Sequence, residues 1–285
     1  MRRGRLQVNI NLQAGQGRTR KMTAQRPSGD GTIAKALDVL DLVAGMQRPV
    51  RFAEVLAQVS IPKATLYRLF QTLTAQGMLQ YDVDRQTYAP GLRLVRLAHS
   101  AWRQSSLAPI ARPFIDKLAE KAGETIHLVQ MDNGQVLYVD KRNAASPIEM
   151  FSQAGKVGPG YCTGVGKAML AFMPQEPQSQ AIARQSYYAY TAHTLTSSQA
   201  LEAELADIRA EGFAYDREEH EPGIICIAAP ILSNGTRVMG ALSITTSVQR
   251  SSLKELKKLK PNLLETAERI AEAATTWQFP EPEKG

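Results

Sequence analysis

The chain has 285 residues, of which 44% are apolar, and a net charge of +7. That length holds two domains of roughly 100–200 residues each, and no apolar run approaches the roughly 20 residues that cross a membrane. The start, MRRGRLQVNINLQ, is basic without an apolar stretch behind it, so it is no secretory signal. Cys162 and Cys226 lie far apart with no CxxC or Cys/His spacing, which argues against a zinc site and a disulfide framework and fits a reducing cytoplasm.

Residues 1–29 carry Arg2, Arg3, Arg5, Arg18, Arg20, Lys21 and Arg26 and no acid, so the whole net charge lies in this segment. It reads either as an arm adding phosphate contacts or as a disordered basic leader, with Met22 as an alternative start. From residue 30 onward basic and acidic residues balance.

Thr32–Met46 is predicted as a helix. Ile33, Ala36, Leu37, Leu40 and Val43 recur on one face, Thr32 is its N-cap, and Gly45 and Pro49 end it. Phe52–Val59 forms a second helix and Ser60-Ile61 the turn. Pro62 sits in the first turn of a third helix, which Gly77 closes. That third helix carries Lys63, Thr65, Tyr67 and Arg68 on one side and Leu66, Leu69, Phe70 and Leu73 on the other. An apolar face on a small core with donors turned outward is the build of a DNA-reading helix. Residues 79–91 read as a hairpin with its tip at Val83–Arg85, completing a winged helix-turn-helix over residues 30–91. Lys63 and Arg68 can reach phosphate or guanine, Thr65 a phosphate or a thymine methyl, and Arg85 a flanking phosphate or the minor groove. Residues 30–99 hold eight basic and six acidic residues. Affinity must therefore come from placement or from dimerisation.

Residues 92–122 are helical with a break near Ser105-Ser106, and read as linker and dimerisation helices. An α+β domain built on an antiparallel sheet occupies residues 123–277, before a tail at 278–285. Its strands are expected at 125–132 and 135–142 around Asn133-Gly134, at 147–153, and at 224–232 and 237–245 around Asn234-Gly235. Helices are expected over Gly164–Phe172, Ser197–Glu211 and Leu253–Thr276. The Gly-rich loop running into residue 164 offers free N–H groups at a helix N-terminus, a natural carboxylate site. Ser243 and Thr245, two apart on a strand, point to one face and can donate to oxygens. Asp216 can accept from a hydroxyl, and Cys226 forms a small wall. His127 is a further candidate, with a buried structural histidine as the alternative.

Other readings fail on chemistry. GYCTGVGKA lacks the P-loop spacing, and Ala168 stands where Ser or Thr would hold Mg²⁺. DREEHE (216–221) suggests a metal, but adjacent acids in an extended segment point to opposite sides, so it is read as a solvated charged edge. Nothing near Cys226 lowers a thiol pKa. No cofactor or metal is expected.

GPGYCTGVGKAMLAF (158–172), IRAEGFAYDREEHEPGIICIAAPI (208–231) and GALSIT (240–245) resemble the effector domain of the IclR family of bacterial transcriptional regulators. GTIAKALDVL (31–40) and TLYRLFQTL (65–73) resemble that family's winged helix, and the segments occur in its order. The resemblance spans about residues 31–277. It implies a GAF-like C-terminal domain holding a small organic acid, and a homodimer or tetramer on double-stranded operator DNA. It places the pocket at Met150, the amides of Gly164 and Val165, Asp216, Cys226, Ser243 and Thr245. Ser60 departs from the Gly usual at the helix turn. ETIHL (124–128), YCTGVGK and DREEHEPGIICIA are most similar to the subgroup regulating sugar-acid catabolism. The expected function is a ligand-responsive repressor rather than an enzyme; the alternative is a small-molecule enzyme or sensor on residues 123–277 that uses the helix-turn-helix for assembly.

Overall fold

A computed structural model describes residues 31–275; the expectations for the basic leader and the C-terminal tail lie outside them. The chain divides into two compact units between Arg96 and Leu97.

In the first unit, α1 (Thr32–Gly45), α2 (Phe52–Leu56) and α3 (Lys63–Ala75) precede a hairpin of β1 (Leu79–Asp82) and β2 (Thr87–Pro90). Val39, Leu40 and Val43 of α1 and Leu66, Leu69, Phe70 and Leu73 of α3 close the core with Val50, Val55 and Leu79. Each such side chain removed from water contributes about 1.5–3 kcal/mol. Phe70 packs edge-on against Phe52 and Tyr88, with centroids 5.3 and 4.6 Å apart. Paired backbone bonds between Val50 and Tyr88, 2.9 and 2.7 Å, tie the segment before α2 to the wing.

Three helix boundaries differ from expectation. Gly31, not Thr32, occupies the N-cap of α1, and no side chain caps it. α2 ends at Leu56 instead of Val59. Pro62 is the N-cap of α3 rather than a residue of its first turn.

The boundary between the units falls inside α4 (Leu92–Ser105). In the second unit, α5 (Ala108–Ala122) lies within the segment expected as a linker, yet it buries Ala111, Ile115 and Leu118 in this unit's core. The sheet contains β3 (Thr125–Asp132), β4 (Gln135–Arg142), β5 (Val157–Pro159), β6 (Ala214–Arg217), β7 (Ile224–Ser233) and β8 (Arg237–Ser247). It is antiparallel throughout, in the order β5-β4-β3-β8-β7-β6. Asn133 and Gly134 both take positive φ, 51° and 81°, as the tight β3–β4 turn requires.

Strand alternation sorts the sheet into two cores. Ile126, Leu128, Ile225, Ile227, Leu242 and Ile244 face α5, α9 (Leu253–Lys258) and α10 (Lys260–Ala273). Val129, Val136, Cys226, Ala228 and Ala241 face α6 (Gly164–Phe172), α7 (Gln175–Ala183) and α8 (Ser198–Glu211). The terminal helix expected as one piece is broken at Leu259, where Pro261 in the first turn of α10 cannot donate a helical bond. The strand expected at 147–153 is absent. PIEMFSQ alternates like a strand, but β4 pairs instead with Val157–Pro159, and the Phe151 N–H donates to both carboxylate oxygens of Glu221 at 3.0 and 2.9 Å. Neither α7 nor β6 was expected from sequence.

Candidate functional site

On α3, Lys63, Tyr67 and Arg68 are exposed, and Tyr67 keeps 51% of its surface. Thr65 is half-buried at the margin of that face. Gln71, four residues beyond Tyr67 and three beyond Arg68, shares the exposed face; sequence reasoning missed it, although an amide can pair with adenine in two places. Arg85 stands exposed at the wing turn, where its backbone N–H donates to Asp82 Oδ1 at 3.0 Å and its guanidinium lies 4.0 Å from Asp82 Oδ2.

In the second unit, all eight residues predicted for the pocket line one cavity: His127, Met150, Gly164, Val165, Asp216, Cys226, Ser243 and Thr245. Its empty volume is about 390 Å³, counting the open mouth. The pairing of Asp216 with Cys226, of Cys226 with Thr245, and of His127 with Ser243 puts these side chains on one face of the sheet. α6 enters head-first. Thr163 caps it, accepting from the Gly166 N–H at 3.2 Å and donating to the Pro159 carbonyl at 2.8 Å. The N–H groups of Gly164 and Val165, in the first turn, have no helical acceptor. Gly164 is small of necessity: a Cβ there would lie 2.6 Å from Cys226 Sγ.

Burial governs the electrostatics. It lowers His127 to about 3, with Lys141 adding to the shift, so the ring is neutral at pH 7. It raises Asp216 to about 7, assisted by Glu219, while the Glu219 N–H donated to Asp216 Oδ1 at 2.9 Å opposes the shift. Burial also pushes the Cys226 thiol well up and raises the Glu221 carboxyl. The cavity therefore combines a positive helix end, neutral hydroxyls and imidazole, and an acid whose proton is held well above the usual carboxyl range. Among the described residues no group of three or more His, Cys, Asp or Glu has the arrangement of a metal site, and no helix is long and apolar enough to cross a membrane.

Residues 99–272, more than half the chain, match the family described as bacterial transcriptional regulator IclR C-terminal, and residues 32–83 match the IclR helix-turn-helix domain. The chain belongs to the IclR family. It is a DNA-binding transcriptional regulator, with a winged helix-turn-helix followed by an α+β domain. It is similar to an uncharacterized HTH-type transcriptional regulator of Escherichia coli, RhmR, at 32% identity over 74% of this chain and 81% of the relative. It is 27% identical to the acetate operon repressor of Salmonella typhimurium, over 84% of this chain and 88% of that protein. The crystal structure of Thermotoga maritima IclR aligns with a TM-score of 0.68 and 27% identity, covering 86% of this chain and 98% of that one.

One part of this IclR-family cavity was misread in sequence. DREEHE is not a solvated edge. Asp216 and Glu219 are buried, and His220 and Glu221 line the cavity. The missing partner is Lys167, fully buried on α6, whose Nζ donates to Glu219 Oε1 at 2.5 Å and to Glu204 Oε1 at 3.0 Å. Arg217 also donates to Glu204, at 2.8 Å. Thr194 Oγ1 donates to the Glu219 carbonyl at 2.6 Å. A lysine in the otherwise apolar run GVGKAMLAF was the available signal, since a buried ammonium demands acidic partners. Ser152 and Tyr138 also line the cavity and were not predicted.

Proposed function

We propose that this regulator is an effector-controlled repressor whose cavity takes a small hydroxy- or keto-carboxylate of the sugar-acid class. In this reading it works in the cytoplasm as a homodimer or a tetramer on a near-palindromic operator, each dimer presenting two copies of α3 to successive major grooves. One observation carries the effector assignment: Gly164 and Val165, at the head of α6, line the same cavity as Ser243 and Thr245. The amides and the helix dipole suit a carboxylate. Asp216 and Ser152 suit the hydroxyls of the same ligand. The similarity to a relative named for an acetate operon supports a small acid, and the hydroxyl-rich walls support a polyhydroxylated one. The acid acts on DNA binding only through a difference in affinity between two arrangements of the protein.

The test pairs two measurements on the full chain. Thermal denaturation against a panel of sugar acids should find one that raises the midpoint. The same acid should release the protein from the DNA upstream of its own gene in a gel shift. A panel in which no acid both stabilises the protein and changes DNA retention would sink this reading.

A further inference from the structure

His127 sits on β3 with both ring nitrogens engaged. Nδ1 lies 3.1 Å from Ser243 Oγ and 3.1 Å from Thr245 Oγ1, and those oxygens are 3.1 Å apart. Nε2 lies 2.7 Å from Ser152 Oγ. The ring is buried and packs at a steep angle against Tyr138, centroids 5.5 Å apart, so it keeps these partners.

A neutral imidazole has one N–H and one bare nitrogen, and the position of that proton decides what the cavity floor can offer. With the proton on Nε2, Nδ1 must accept from Ser243 or Thr245. That uses one of their two hydroxyl protons, and the Ser243–Thr245 bond competes with a ligand for the other. With the proton on Nδ1, the ring donates to a hydroxyl oxygen and claims neither hydroxyl proton, so one can turn into the cavity with the Ser243–Thr245 bond kept and both can when a ligand replaces that bond. Ser152 then supplies its own proton to Nε2.

We propose that His127 is a positioning residue that sets which ligand group the floor accepts: a carboxylate over Ser243 and Thr245 selects the Nδ1–H tautomer and fixes the Ser152 hydroxyl as a donor to Nε2. The proposal rests on the cavity being a carboxylate site. A ligand group that itself donates selects the other tautomer and turns Ser152 the other way. Ser152 belongs to the irregular segment 143–156. Lys141 Nζ donates to the Ser152 carbonyl at 2.8 Å, and Glu221 accepts from the neighbouring Phe151 N–H. The identity of the bound group is thereby written into the segment between β4 and β5, whose Met150 and Ser152 line the cavity.

The experiment is long-range ¹H–¹⁵N spectroscopy of the full chain labelled at its histidine ring nitrogens, with acetate as probe and chloride at matched ionic strength as control. The chain has four histidines, so a His127→Gln variant assigns the signals. Thermal stability is read on the same samples. The expected result is stabilisation by acetate together with a protonated Nδ1 and a bare Nε2 at His127. In Ser152→Ala the proton should return toward Nε2, and acetate affinity should fall roughly fivefold, the worth of about one buried hydrogen bond. Stabilisation by acetate with the proton retained on Nε2 overturns this proposal alone, as does an unchanged tautomer and affinity in Ser152→Ala. Failure of acetate to stabilise the protein overturns the carboxylate reading, and this proposal with it.

Discussion

Asp216 is a carboxyl group held at the boundary between two charge states. Burial and the neighbouring Glu219 raise it to about 7, while Lys167, a buried cation nearby, is already engaged by Glu219 and Glu204. The folded protein therefore binds this proton more tightly than the unfolded chain. The sign follows from linkage: between the ordinary carboxyl range and about pH 7 the native state holds more protons, so raising the pH through that window removes stability. Relative to Asp216→Asn, the wild type should lose up to about 1.4 kcal/mol per pH unit across the window. Urea midpoints of both proteins at several pH values measure this, and a constant difference between them counts against a raised Asp216. The same side chain shows where sequence reading stops. Its membership of the pocket followed from the matching segment, but its protonation depends first on burial, with Glu219 raising it further and Lys167 opposing, and the burial and Lys167 come only from the fold.

At the scale of single elements, the head of α6 is fitted to β7 so closely that one methyl group tests it. Gly164→Ala puts a Cβ 2.6 Å from Cys226 Sγ, and overpacking of this kind costs about 1–3 kcal/mol. Removing the sulfur should relieve it, so Gly164→Ala/Cys226→Ala should unfold at higher urea than Gly164→Ala alone; strictly additive losses would show that the two residues do not meet. Helices with long apolar faces, and hairpins turning at Asn-Gly, were legible because period and turn chemistry are local. The failures were equally physical. The segment 147–153 alternates like a strand but finds no neighbouring edge, and Glu221 takes its amide instead. DREEHE carries so much charge that burial looked excluded, and only the fold brings Lys167 and the 187–195 segment around it. Leu253–Thr276 kept a continuous apolar pattern across the break at Leu259, although Pro261 was there to be read.

For the whole molecule, two units with separate cores imply two separable losses. Arg68→Ala should abolish operator binding in a gel shift and leave stabilisation by the effector acid unchanged. Ser243→Ala should do the reverse, losing the ligand response while retaining DNA binding. Loss of both responses in either variant would contradict the separation. Besides the head of α6, the cavity is assembled from two further kinds of backbone. His127, Asp216, Cys226, Ser243 and Thr245 are locked in the register of four paired strands, whereas Met150 and Ser152 project from the irregular segment between β4 and β5. A library built to retune this protein as a biosensor for another acid should therefore diversify positions 148–153 first. Those positions belong to no strand or helix, so substitutions there leave the register of the sheet in place, while the α6 amides and the strand hydroxyls would supply the carboxylate grip that every member of the library shares.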